Sequence, residues 1–164
     1  DSLREEDDRP WIDLGFQVHR KIPFGSKGLK EGRIVESIRA KTGEYLLDAS
    51  SRAPQSLFTY IAFVERVVDA DTLIVKIDLG FEIRIRQYLR LRGIDAPELS
   101  TPEGKKAKAF VERELSLVPH ITLTSSRSDK YDRYLADVFY EKKPREELYL
   151  NQVLLDQGLA KRMM

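Results

Sequence analysis

Residues 81–93 read FEIRIRQYLRLRG, and their alternation decides what the rest of the chain can build. Phe81, Ile83, Ile85, Leu89 and Leu91 fall on one side of a two-residue period. Glu82, Arg84, Arg86, Arg90 and Arg92 fall on the other. Successive side chains of a strand point to opposite faces, so this spacing predicts a half-buried β-strand with an arginine-rich outer face. Gln87 and Tyr88 interrupt the alternation, which predicts a bend or bulge between them.

Upstream, LFTYIAFVERVV (57–68) is rich in aromatic and β-branched residues and reads as a strand. A second strand runs from Leu73 to Leu79 and ends at Gly80. Downstream, residues 101–118 read as a helix. Thr101 suits the N-cap, Pro102 the first helical position and Glu103 the first turn. Ala107, Val111, Leu115 and Val118 recur at helical spacing, with Phe110 beside them, and predict a core-facing stripe. HITLTS (120–125) and YLADVFY (134–140) read as strands on either side of the polar loop SRSDKYDR. Asn151 is the expected N-cap of a last short helix, and Gly158 its stop, with Leu159 behind it. Five strands with a helix between the third and fourth predict a mainly β, α+β fold. Its core is a five-stranded OB-fold barrel with two or more helices over residues 57–164.

Residues 1–56 read as an N-terminal extension. It comprises a charged tail, a basic Gly-containing connector (21–32), a small hairpin turning near Thr42–Gly43, and a linker over 50–56. Trp11 is expected to anchor it. The chain opens on Asp1 rather than Met, which reads as a processed form or a piece of a longer protein.

Composition narrows the chemistry. There are 164 residues, 41% hydrophobic and 34% charged, with a net charge of +1, so bulk charge does not advertise a polyanionic partner. No apolar run is long enough to span a bilayer. A soluble chain, secreted or part of a larger protein, is the expectation. With no cysteine, disulfides, zinc-thiolate sites and thiol nucleophiles are excluded. With only His19 and His120, a multi-histidine metal site is hard to build, so any metal should be hard and oxygen-ligated.

Against this background the stretch VVDADTLIV (67–75) stands out, because two carboxylates and a hydroxyl sit inside a strand-like apolar run. Asp69 and Asp71 fit a turn between strands as well as a site. Asp95 and Glu98 follow the third strand in GIDAPELS, Arg90 lies five residues before Asp95, and Arg133 closes the loop DKYDR. Two aspartates to hold a cation, a further carboxylate as base and two arginines to clamp a phosphate are the parts of phosphodiester hydrolysis. Arg84, Arg86 and Arg92 read instead as a solvated face, as ion-pair partners, or as contacts to backbone phosphates.

VVDADT, RLRGIDAPE, SDKYDR and NQVLLDQGLAK resemble, in order and spacing, the motifs of the staphylococcal nuclease-like (thermonuclease) family over about residues 60–161. The resemblance implies a calcium-dependent nuclease acting on DNA or RNA and leaving 3′-phosphate ends. It implies Asp71, Asp95 and the Ala96 carbonyl as Ca²⁺ ligands, and Glu98 as general base. Arg90 and Arg133 become the pair that neutralises the phosphate, Lys130 and Tyr131 contacts to a terminal phosphate, and Asp69 a nearby supporting acid. Nucleic acid is the implied partner. The same barrel also occurs as a catalytically inactive nucleic-acid or protein-binding module, although those typically lose the acids or arginines kept here. Ala70 stands where the family often has Gly. If that position needs positive φ, alanine would cost roughly 1 kcal/mol.

Overall fold

A computed structural model of the chain describes residues 9–24, 26, 29, 32–50, 57–128 and 134–163. The chain divides into two compact units, Asp1–Leu57 and Phe58–Met164. In the first, β1 (Trp11–Gly15) and β2 (Val18–Lys21) form an antiparallel hairpin, and β3 (Val35–Arg39) and β4 (Tyr45–Ala49) form another. The second hairpin turns through Gly43 at φ 87°, a left-handed conformation that glycine adopts without strain. Leu14 and Leu47 are buried. Trp11 is no buried anchor: it is exposed, with Lys21 Nζ 5.6 Å from its ring centroid.

The second unit runs β5 (Thr59–Asp69), β6 (Thr72–Asp78), β7 (Arg84–Leu91), β8 (Ile94–Asp95), α1 (Pro102–Ser116), β9 (Ile121–Ser128), β10 (Tyr134–Lys143), β11 (Glu146–Tyr149), α2 (Leu150–Asp156) and β12 (Lys161–Arg162). β5 pairs with β6 and β9, β6 with β7, β7 with β10, and β10 with β9. The five strands therefore close into a barrel, which removes the free sheet edges. This is the expected α+β, OB-fold-like barrel with its two helices. Leu73, Val75, Ile77, Leu89, Leu91, Ile121, Leu123, Ala136 and Val138 are fully buried and fill it.

The third strand differs from its sequence reading at two places. Residues 81–83 belong to the turn: Phe81 and Glu82 have φ of 54° and 61°, and Ile83 N–H donates back to the Gly80 carbonyl at 2.9 Å. Phe81 is nonetheless buried, so the apolar signal reported burial correctly but not extension. Nor does the strand break at Gln87 and Tyr88. β7 pairs with β6 without a register shift from Arg84 to Arg90. Gln87 takes an inward, half-buried position and Tyr88 an outward one, so the alternation is geometric even where polarity fails to show it.

α1 begins as expected. The Thr101 hydroxyl accepts the Gly104 N–H at 3.0 Å, and Ala107, Val111 and Leu115 are buried. Its Glu114 carboxylate accepts from Tyr140 Oη at 2.8 Å and pairs with Lys142 at 2.9 Å, tying the helix to β10. Gly158, at φ 68°, ends α2, and the Leu159 N–H donates to the Leu154 carbonyl at 2.9 Å, completing a C-terminal cap.

Asn151 is not the cap of α2. Tyr149 holds that position and provides no side-chain bond. Asn151 lies inside the helix, 2% exposed, and its amide reaches into the barrel. Its Oδ1 accepts the Val138 N–H at 3.1 Å, and its Nδ2 donates to the carbonyls of Arg92 (3.0 Å) and Ala136 (3.1 Å). These groups lie where β7 ends beside β10, the one parallel pairing among the barrel's strands. Nearby, the Arg92 fork pairs with Asp137 at 3.0 Å, and the Tyr149 hydroxyl donates to the same carboxylate.

Asn151→Ala leaves the Arg92 carbonyl and the Val138 N–H without that partner, while the Ala136 carbonyl keeps the Arg92 N–H at 2.9 Å. A loss of about 3–5 kcal/mol is expected from urea denaturation, since each buried unpaired group costs roughly 1–3 kcal/mol. Burial first, and then the bond to Asp137, push the Tyr149 hydroxyl up to about 12 from 10.0. The folded state therefore holds this proton more tightly than the unfolded one. The stability it confers is full below pH 10 and is lost as pH rises through about 12. Tyr149→Phe should be less stable than the parent at pH 7, with the difference shrinking between pH 10 and 12 in a pH series of urea midpoints.

Candidate active site

The polar residues of VVDADT stand at the turn between β5 and β6, where both strands reach the barrel rim. Asp69 Oδ1 accepts the Asp71 N–H at 3.3 Å, a short side-chain-to-backbone closure typical of aspartate in turns. Asp71 follows at 4% exposure, its Oδ1 accepting from the Thr72 hydroxyl at 3.1 Å. Its Oδ2 accepts the Ala96 N–H at 2.8 Å, which draws the loop after β8 onto the turn. Ala70 is buried and is not among the residues with positive φ, so no backbone strain attaches to alanine there.

Arg90 comes from the end of β7, directly opposite Thr72. Its Nη2 donates to Asp95 Oδ1 at 2.8 Å and lies 3.4 Å from Asp71 Oδ2. One guanidinium thus sits between two carboxylates contributed by segments 24 residues apart in the chain, with Asp69 beside them. Burial would depress Arg90, but the bond to Asp95 and the charge of Asp71 outweigh it and hold the guanidinium above its ordinary value. Asp71 moves the other way for an acid. Burial, and next the Asp69 carboxyl, push it above the usual carboxylate range, against the pull of the Ala96 N–H and Arg90. Three carboxylates against one guanidinium leave excess negative charge in a partly buried place. All the side-chain donors here are oxygen, the set that suits a hard cation. Among the described residues no three His, Asp or Glu side chains gather as a ready-made metal cluster, so main-chain oxygen and water would have to complete any shell.

Asp95 is held by the C-terminal segment. β8 pairs antiparallel with β12, placing Lys161 opposite Asp95, and the Met163 N–H donates to the Gly93 carbonyl at 3.0 Å. Glu98 ends the same loop. Its carboxylate is exposed and stands outside the Arg90 bonds, while its carbonyl accepts from the Thr101 N–H (2.9 Å) and hydroxyl (2.6 Å). Gly104 matters here. A Cβ on it would run into the Glu98 carbonyl and stand 2.9 Å from the Pro97 carbonyl oxygen. The first turn of α1 therefore packs directly on the backbone that carries Glu98, and only glycine permits it. The lone sequence signal was a poor helix former in the first turn of a helix, TPEG.

The structure thus brings together Asp69, Asp71, Arg90, Asp95 and Ala96, the last through its N–H, with Glu98 two residues further along. Lys130, Tyr131 and Arg133 lie outside the described residues. Arg84, Arg86 and Arg92 make the contacts of a solvated face: Arg86 with Glu65 at 2.6 Å, Arg92 with Asp137, and Arg84 5.4 Å from the Phe63 ring centroid.

A family model described as staphylococcal nuclease homologue matches residues 88–164. Over residues 88–164 the chain is similar to staphylococcal nuclease homologues. The matched segment contains Arg90, Asp95, Ala96 and Glu98 and begins after Asp69 and Asp71, which enter the site through the barrel pairing of β6 with β7. The chain is 32% identical over 115 residues to an uncharacterized 38.1 kDa protein of Capnoides sempervirens, covering 68% of this chain and 32% of that protein. It is 32% identical over 97 residues to an uncharacterized endonuclease of Haemophilus influenzae, covering 59% of this chain and 49% of that one. The chain therefore spans about a third to a half of these curated relatives. The family is of nuclease type, and the barrel carries its matched segment from the middle of β7 onward.

Gly104→Ala should lower stability by roughly 1–3 kcal/mol, as overpacking does, although alanine is the better helix former. Lys106→Ala, exposed on the same helix, should change the urea midpoint little, and equal midpoints for the two variants would refute the contact.

Proposed function

We propose that the chain is a metal-dependent phosphodiesterase that hydrolyses DNA or RNA, uses Ca²⁺ and leaves 3′-phosphate ends. The observation that carries this reading is Arg90 suspended between Asp71 and Asp95 at the rim of a nuclease-family barrel. A phosphate-binding guanidinium and an oxygen-rich anionic site are within one hydrogen bond of each other. The name of the Haemophilus relative, an endonuclease, supports the same class.

In this reading Asp71, Asp95 and the Ala96 carbonyl hold Ca²⁺, whose all-oxygen preference the donors match. When bound, the ion supplies Lewis-acid stabilisation of the phosphate. Asp69 keeps the turn closed and Asp71 in place. Glu98, exposed and free of Arg90, takes a proton from the attacking water. Water oxygen bonds to phosphorus, the bond to the 5′ oxygen breaks, and that oxygen leaves with a proton from solvent. Arg90 exchanges a carboxylate for the phosphate, where its planar fork matches the oxygens that gain charge. Arg133 would be the second clamp. Its neighbour Tyr134 pairs with Leu89, next to Arg90, which supports that role. Lys130 and Tyr131, just before Arg133 in the chain, would bind a terminal phosphate. No helix among the described residues is long and apolar enough to cross a membrane.

Incubation with single-stranded DNA and with RNA, each with calcium or with a chelator, tests the reading. Cleavage is expected in calcium alone. Glu98→Gln and Arg90→Ala should each lower kcat by about 10²–10⁴-fold while the thermal unfolding curve stays cooperative. Binding without cleavage would return the chain to the class of inactive binding modules.

A further inference from the structure

β7 does more than deliver Arg90. Its unshifted pairing with β6 puts Arg84, Arg86, Tyr88 and Arg90 on one face, while Leu89 and Leu91 are buried on the other. Same-face residues of a strand recur about every 6.7 Å, so the row from Arg90 to Arg84 spans about 20 Å. It starts inside the candidate site and runs outward over the barrel. Three of its members are cations and the fourth is an aromatic ring, 49% exposed, next to the cation that enters the site.

That order matches the chemistry of an unpaired nucleic-acid strand: phosphates at intervals close to the strand's own repeat, and a base whose face is open to stack. A base within a duplex has no free face to offer a ring at the barrel surface. The outer arginines are already occupied, at exposed positions where solvent screens an ion pair. Arg86 is exposed where it meets Glu65, and Glu65 keeps Lys76, 3.9 Å away, if Arg86 turns to a phosphate. Arg84 lies over the half-exposed Phe63 ring, a contact that leaves its N–H groups able to donate.

We propose that the row Arg90–Tyr88–Arg86–Arg84 is a track for three to four nucleotides of a single strand adjoining the scissile phosphate, with Tyr88 stacking on the base beside the Arg90 phosphate. It rests on the phosphodiesterase reading only for what happens at Arg90; the track itself is a binding surface. Tyr88 sets specificity for unpaired strands, and Arg86 and Arg84 anchor the strand leading away from the site.

The test is binding of fluorescein-labelled dT12, by anisotropy, to full-length Glu98→Gln protein alone and combined with Tyr88→Ala, Tyr88→Phe or Arg86→Ala. Tyr88→Ala should weaken binding about tenfold to a hundredfold, and Tyr88→Phe should restore it, because the ring and not the hydroxyl is used. Arg86→Ala should reduce the slope of log affinity against log salt by about 0.7. A blunt 12-base-pair duplex should bind without sensitivity to Tyr88→Ala. Absent dT12 binding, a Tyr88→Ala effect under twofold, or an equal loss on the duplex would overturn the track. Cleavage of dT12 by the parent protein in calcium reports separately on the nuclease reading. Loss of binding in Tyr88→Ala by a parent that never cleaves keeps the track and removes the nuclease. Cleavage with no Tyr88 effect does the reverse.

Discussion

The closure of the barrel hangs on the seam between β7 and β10. Every other pairing among its five strands is antiparallel. Here two parallel strands meet over three residue pairs, Tyr134 with Leu89 through Ala136 with Leu91, and the ladder then stops. The backbone groups just beyond it need partners inside a dry core, where an unpaired one is costly. Asn151 supplies them, using both ends of one amide to satisfy groups on both strands. That single side chain also explains the placement of α2, which has to cross the end of the seam to deliver it. The functional consequence is direct. Arg90 is itself one of the paired residues of the seam, opposite Leu135.

Around that frame the candidate site gathers what a stable core would avoid. Asp71 is buried beside Asp69, and its carboxyl is pushed toward protonation; Arg90 is drawn in to balance it and shared with Asp95. Local order is maintained by backbone donors and by close packing: the Ala96 N–H on Asp71, the Thr101 hydroxyl and N–H on the Glu98 carbonyl, and Gly104 letting α1 sit against that carbonyl. Such excess charge on a braced loop is characteristic of sites that await a ligand rather than of surfaces that merely face water.

The strands, the first helix and its cap were legible because they obey local rules. Period two marked β7, and Thr101–Pro102 marked α1. Errors arose where burial and extension part company. Phe81 is apolar and buried but sits in a left-handed turn, so hydrophobicity alone extended the strand too far. Gln87 is polar but points inward, and Tyr88 is aromatic but points outward, so the polarity pattern breaks where the backbone pairing does not. Asn151 preceded a helical run and looked like a cap. Only the end of the β7–β10 seam, contributed by other segments of the chain, gives it its actual partners.

By itself the sequence determined which side chains exist for chemistry and the order in which strands and helices bring them. The absence of cysteine, the scarcity of histidine and the spacing of acids and arginines left an oxygen-ligated, phosphate-directed site as the natural reading. What only the tertiary structure decided is which of those charges meet. Asp71, Arg90 and Asp95 converge because β6 pairs with β7 in one register and the loop after β8 folds back through Ala96 onto the β5–β6 turn. Charge interactions fall off with distance and strengthen with burial, and both quantities are set by strand pairing and not by position along the chain. The same register turns Arg84, Arg86 and Tyr88 from an interrupted pattern into a continuous row leading to Arg90.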